Sequence, residues 1–247
     1  MRLLSYNIHK GIGGRDRRYR LERIIAAIEH ENPDLIGLQE VDRGCKRSRH
    51  DDQPRLLADL FAAGGHLFQL NVRSGDGGYG NLLLSRWPIL ASHQISLRLE
   101  RKKPRGAQIA VIDTTEGPLT LAHTHLGLAE GERRWQVRHL LGHHLFLAAC
   151  HGPTIVFGDL NDWRNTLAPG PFREHQFEAV ATPPSRFRSF PAWLPMGSLD
   201  KAFVRGGVVV REARVVRSVV TRQASDHLPL VVDFHLEPAN PTHDSAD

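Results

Sequence analysis

Five short segments of this 247-residue chain end or interrupt an apolar run with carboxylate, amide or imidazole groups. They are Leu3–His9 (LLSYNIH), Leu35–Glu40 (LIGLQE), Thr120–His125 (TLAHTH), Ile155–Asn161 (IVFGDLN) and Ser225–Leu230 (SDHLPL). A sixth, Ser198–Val204 (SLDKAFV), carries Asp200 into another apolar run. An acid beside an imidazole, as in Asp226-His227, has the groups to hold a metal and to take a proton. Side chains alternate faces along a strand, so Asn7 with His9, His123 with His125, and Asp159 with Asn161 each point one way and can each reach one ligand. Hard oxygen donors such as Glu40, Asn7 and Asp226 suit Mg²⁺ or Mn²⁺.

The elements that must position these groups follow from the pattern around them. The apolar runs are short and rich in β-branched or aromatic residues, as buried strands are. Strands are expected from about His66, Asn81, Ile89, Ala107, Leu119, Thr154, Leu199, Val208 and Leu228, too many for a simple doubly wound sheet. Hairpin-like spacing around Glu116-Gly117-Pro118 points to antiparallel pairing. Leu21, Ile24, Ile25 and Ile28 share a helical face that Asn32-Pro33 ends. Pro54 opens a second helix. The longest helix is expected from about Glu130 to Ala149, on a stripe of Val137, Leu141, Leu145 and Ala148.

The ordered set of Asn7, Gln39-Glu40-Val41, Gly80-Asn81, His125-Leu126-Gly127, Gly158-Asp159-Leu160-Asn161, Leu199-Asp200 and Ser225-Asp226-His227 resembles the motifs of the endonuclease/exonuclease/phosphatase superfamily. The likeness runs from about Met1 to Phe234, and its wording is most similar to a bacterial branch of small, stand-alone hydrolases. It implies an α/β fold, a four-layer α/β/β/α sandwich of two packed mixed, largely antiparallel sheets. It implies one catalytic domain over 1–236, with a tail over 237–247 that we read as disordered from its prolines and lack of large apolar residues.

The resemblance also implies roles. Glu40 holds the principal Mg²⁺, with Mn²⁺ an alternative, and Asn7 and Asp226 lie close by. Asp159 and Asn161 orient water and phosphate; a second metal there is left open. Asp200 pairs with His227 to fix its tautomer, and either His227 or Asp159 activates the water. His125 contacts phosphate or assists the leaving group, and Arg105 neutralises phosphate charge with its planar fork. Asn81, His9 and Tyr79 fall at substrate-contact positions. Asn81 and His9 stand where some relatives carry an acid, and Tyr79 has packing as an equal reading. His123 is either a partner of His125 or a core histidine, while His139, His143 and His144 read as helix surface or packing.

Substrate class follows less directly. Lys and Arg number 32 against 27 Asp and Glu, a net charge of +5 that suits an anionic substrate. Nucleic acid is one such partner, and a phospholipid headgroup or small phosphodiester is another; a binding module without catalysis is disfavoured because Glu40, Asp159, Asn161, Asp200, Asp226 and His227 are all present. No extra loop typical of a duplex-gripping nuclease is identifiable. The proline-flanked run Phe190–Met196 is read as a packed loop, with a lid or a wall for a lipid or base as its other readings. No run approaches the roughly 18 apolar residues of a membrane span, and no basic leader precedes the first strand. Two cysteines in unrelated contexts, Cys45 and Cys150, form neither a disulfide framework nor a metal motif. A cytoplasmic protein without an obligate protein partner is the expectation.

Overall fold

The computed structural model describes residues 1–75 and 77–238. Its strands form two six-stranded sheets. In chain order they are β1 (Arg2–Asn7), β2 (Leu35–Arg43), β3 (Gly65–Ser74), β4 (Gly77–Ser85), β5 (Ile89–Ser96), β6 (Gly106–Thr114), β7 (Gly117–His125), β8 (Thr154–Asp159), β9 (Glu178–Ala179), β10 (Asp200–Arg205), β11 (Val208–Val215) and β12 (Leu230–Leu236). The first sheet runs β11-β12-β1-β2-β4-β3 and the second β5-β6-β7-β8-β10-β9. Each is antiparallel except at its centre, where β1 pairs with β2 and β7 with β8 in parallel.

A parallel pair needs a crossover, and here each crossover is helical. Helix α1 (Leu21–Glu31) joins β1 to β2, while α3 (Glu130–Leu141) and α4 (His144–Ala149) join β7 to β8. The remaining helices are α2 (Gln53–Leu60) and α5 (Val219–Ala224). Three apolar clusters define the four layers. One, with Leu35, Leu83, Leu121 and Phe157, lies between the sheets; another packs α1 on the first sheet; the third packs α3 and α4 on the second. This is the α/β/β/α sandwich that the sequence implies.

The helices follow local signals with two exceptions. α1 stops where Asn32 turns left-handed at φ 44°, and α2 starts on an Asp52 cap that accepts from the Arg55 amide. The single helix expected over Glu130–Ala149 is instead two, because Gly142 weakens it and His143 takes an extended conformation that caps α4. The break rotates the buried face, so Phe146 enters the core and Ala148 is exposed. α5 was not foreseen; it begins with a reciprocal capping pair, Ser218 with Thr221, in place of the usual Ser/Glu pattern. The tail expected over 237–247 lies outside the described residues from 239 onward. Before it, the Glu237 amide bonds to the Gly207 carbonyl and extends the last hairpin.

The two sheets approach closely at Gly37 in β2. A Cβ there would overlap the Phe157 ring and come within 2.9 Å of the His123 ring. Gly37→Ala is therefore expected to overpack the inter-sheet layer and cost ~1–3 kcal/mol. Thermal unfolding should show Tm lower by roughly 2–12 °C. An unchanged Tm would show that the sheets can move apart there without cost.

Candidate active site

The register of the second sheet sets three chemical groups in one row. His125 ends β7 opposite Asp159 at the end of β8, and Asp159 faces Asp200 at the start of β10. The backbone before Asp159 turns through Gly158 at φ +140°, where a Cβ would overlap the Thr124 carbonyl; only glycine fits. The first sheet brings its groups to the same end. Asn7 closes β1, Ser225, Asp226 and His227 precede β12, and Glu40 sits on a bulge of β2 with φ 58°. That bulge sets Glu40 apart from the flanking ladder and aims it into the cavity.

The groups converge on one oxygen. Asp159 Oδ2 accepts from Asn7 Nδ2 at 2.9 Å and lies 3.3 Å from His125 Nε2 and 3.6 Å from His227 Nε2. Its other oxygen accepts the Asn161 amide at 3.1 Å. His227 Nδ1 lies 2.9 Å from Asp200 Oδ2, which also accepts from Ser189 Oγ at 2.5 Å. Asn161, at φ 51°, donates its side-chain amide to the Leu126 carbonyl. All of these groups except Asp226 and Glu40 are buried.

Burial and charge then assign protonation. Burial disfavours a charged His227, yet the carboxylates of Asp200 and Asp159 prevail and push it up to about 10. Burial raises Asp159 to about 6, held from going higher by the positive charge of His227. Neutral pH thus finds an imidazolium between two carboxylates. His125 is driven well below the ordinary histidine range, first by burial and then by Arg105 and the other nearby cations, and is neutral. Burial would raise Glu40, but the Lys10 ammonium paired with it, with help from His9 and Lys103, holds it below the ordinary range.

A cavity of about 340 Å³ opens over this cluster. Asn7, His9, Glu40, Arg105, His125, Asp159, Asn161, Asp226 and His227 line it, so it gathers most of the positions expected from sequence. Asp200 stands behind His227. His9 donates Nδ1 to the Ile12 carbonyl and presents Nε2 3.9 Å from Asp226. Arg105 is buried, and its Nε has no hydrogen-bond partner among the described residues, as suits a donor awaiting an anion.

Two expected substrate contacts lie elsewhere. Asn81 is buried and donates to the Gly106 carbonyl, fixing the strand start after Arg105. Tyr79 lies behind Lys10 and Lys103, whose ammonium groups sit 5.0 and 5.3 Å from its ring centroid. His123 shares a face with His125 but no ligand. It is sealed between the sheets, bonded to Gln39 and Gln108 and stacked on Phe157, and burial pushes it down to about 3. It is a core histidine.

Lys103 and Phe190 also line the cavity, as do Lys10, Leu128 and Trp163, which the sequence does not single out. Lys10 adjoins a recognised motif, but alternation gives no reason to look at it. The chain leaves the strand after Asn7, and Lys10 turns inward at φ 64°. Phe190, at the start of the Phe190–Met196 run, is packed and also walls the cavity: its ring tilts against His227 at 4.8 Å and meets Trp163 edge-on at 5.8 Å. Beyond it Trp193, Leu194 and Met196 are exposed.

The residues also fit a hard cation. Among the described residues no three His, Cys, Asp or Glu side chains make a closed metal cage. An open site of one or two carboxylates with retained waters is what Mg²⁺ prefers. Glu40 and Asp226 line one cavity, and the carboxylate of Glu40 already holds a cation, the Lys10 ammonium.

Two packed six-stranded sheets flanked by helices, with a buried acid–imidazole row at one end of their interface, define an α/β/β/α sandwich that carries its polar groups at its open end. The match of residues 4–227 to the endonuclease/exonuclease/phosphatase family shows that the chain belongs to it. It is 28% identical over 255 residues to the uncharacterized protein YbhP of Escherichia coli (strain K12), covering 95% of this chain and 96% of that one. Among solved structures it resembles an endonuclease/exonuclease/phosphatase from Beutenbergia cavernae (TM-score 0.76, 24% identity, 96% of this chain and 71% of that one). It also resembles the human Nocturnin catalytic domain with bound sulfate (TM-score 0.69, 22% identity, 96% and 93%). At these identities the two structures speak to the fold.

With metal chelated, His227 is expected to titrate near pH 10 and, in Asp200→Asn, to fall toward neutrality; NMR of the imidazole protons reads both. Because the folded value lies above the ordinary 6.5, the linked stability is fully present below pH 6.5 and is lost as pH rises through about 10. Denaturant unfolding should show that loss in the wild type and not in Asp200→Asn. An Asp200→Asn protein still protonated at His227 above pH 9 would remove Asp200 from this role.

Proposed function

We propose that the chain is a divalent-metal-dependent phosphoester hydrolase of the phosphodiesterase or endonuclease type. The observation that carries this reading is the carboxylate of Asp159, buried at the cavity floor between neutral His125 and protonated His227. Family members are generally phosphoester hydrolases, and the sulfate held by the Nocturnin domain is in keeping with an oxyanion site in this fold.

Hydrolysis needs a water aimed at phosphorus, a base for its proton, and positive charge for the phosphoryl oxygens. Asp159 is suited to be the base. Its pKa near 6 leaves it ionised at neutral pH yet more basic than an ordinary carboxylate. As water adds to phosphorus its proton passes to Asp159, which Asn7 and Asn161 hold in place, and the ester oxygen departs with the P–O bonding pair and takes a proton from solvent at the open mouth of the cavity to leave as the alcohol. His227 at about 10 is a poor base, and we assign its Nε2–H to the phosphoryl oxygens, with Asp200 supporting the charge. Arg105, Lys103 and Lys10 line the cavity as further counter-charges. Glu40 and Asp226, with Asn7 beside them, would hold Mg²⁺ or Mn²⁺, which when bound supplies Lewis-acid stabilisation of the developing charge.

Asp159→Asn and His227→Ala are each expected to lower kcat on a chromogenic phosphodiester by ~10²–10⁴-fold. Their far-UV circular dichroism should be unchanged. EDTA should abolish wild-type turnover and Mg²⁺ or Mn²⁺ restore it. Turnover at wild-type rates in both folded variants would falsify the assignment.

A further inference from the structure

The mouth of the cavity is chemically mixed. Its lining combines the cations and imidazole of Lys10, Lys103, Arg105 and His9 with a large apolar set, Leu128, Trp163 and Phe190. The apolar set does not end at the cavity. Leu128 is 73% exposed, Trp163 48%, Trp193 53%, Leu194 53% and Met196 60%. Scattered exposed apolar residues need no explanation, but large ones gathered at the entrance to a site do.

They are also held there. Phe190 and Gly197 pair across the base of the loop, with the Gly197 amide donating to the Phe190 carbonyl at 2.8 Å and the Phe190 amide returning the bond at 3.1 Å. The Ala192 amide donates to the Asp226 carbonyl at 2.7 Å, and the Leu194 amide to Pro191 at 3.0 Å. The turn therefore stands on the strand ends that carry the chemistry, and Trp193, Leu194 and Met196 form its tip. Trp163 packs over Gly197, where a Cβ would come within 2.7 Å of its ring. Leu128 is fixed from behind, its carbonyl accepting from the buried Arg133 guanidinium.

Cations flank this apolar rim. Lys102 and Lys103 are exposed at the cavity edge, Arg188 is exposed two residues before Phe190, and Arg15 is exposed beside Gly14, which lies against the Asp226 backbone. Tryptophan with aliphatic neighbours, ringed by Lys and Arg, is the composition that seats a protein in the headgroup layer of an anionic bilayer. Stacking on nucleic-acid bases would use the tryptophans and leave Leu128, Leu194 and Met196 without a role. No helix among the described residues is long and apolar enough to cross a membrane, so any such contact through this loop is peripheral.

We propose that the mouth of the site docks on an anionic phospholipid surface through the Phe190–Gly197 turn, Leu128 and Trp163, and that its phosphoester substrate is a lipid headgroup. The substrate half rests on the hydrolase reading above; the docking half does not. The full chain is tested in EDTA by co-sedimentation with phosphatidylglycerol-rich and with pure phosphatidylcholine vesicles, beside a W193S/L194S/M196S variant. The wild type is expected to bind the anionic vesicles, with at least a tenfold loss in the variant and weaker binding to phosphatidylcholine. With metal restored, the variant should hydrolyse a soluble chromogenic diester at the wild-type rate and release headgroup from vesicles at least tenfold more slowly. Equal vesicle binding by variant and wild type, or none by either, overturns the docking surface. So does a tenfold loss in the variant of binding to single-stranded DNA or RNA without a loss on vesicles. Vesicle binding without hydrolysis of any phosphoester would sink the hydrolase reading and leave the docking face standing. Turnover of soluble diester without vesicle binding would do the reverse.

Discussion

A carboxylate taken out of water between two apolar sheets is the constraint to which the rest of the site answers. An unpaired buried charge costs several kcal/mol, so Asp159 is tolerable only with partners on every side. They come from both sheets: Asn7 and His227 from the first, His125 and the Asn161 amide from the second. The registers of β7, β8 and β10 place His125, Asp159 and Asp200 side by side. The same carboxylate that would take the proton in hydrolysis also couples the two layers at their open end.

Three buried imidazoles show burial and neighbours competing over the state of a histidine. His123 is surrounded by neutral amides and a phenyl ring and falls to about 3. His125 has Arg105 and His227 nearby, which add to the effect of burial. His227 lies between two carboxylates and rises to about 10. Desolvation opposes the charge in all three, and only at His227 is it overcome.

Much of this was legible from the residues. Strand-end clusters of Asn, Asp and His marked residues that line one cavity, and their order along the chain pointed to the family. What escaped did so for physical reasons. Strand alternation placed His123 with His125, but depth along the strand separates them, since one lies inside the sandwich and the other at its edge. The helix stripe from Val137 ran past Gly142 because periodicity is blind to a single weak residue whose neighbour prefers to cap. Lys10 escaped because its direction is set by a left-handed turn after the strand, and Phe190 because it comes to His227 through a tertiary contact. Tyr79 and Asn81 show the converse: adjacency to a motif in sequence put them one layer behind the cavity, where they hold Lys10, Lys103 and the strand after Arg105.

The sheets nearly touch at Gly37, against the ring of Phe157, which stands two residues before Asp159 on β8. A close-packed interior transmits displacement instead of absorbing it, and catalysis loses heavily when reacting groups are misplaced by an ångström. Because Asn7 and His227 ride on one layer and Asp159 on the other, sliding the layers past each other stretches the Asn7 and His227 contacts to that carboxylate together. The site is thus a strain gauge for the sandwich, because a shift of one sheet against the other at Gly37 is carried to the contacts that Asp159 makes across them.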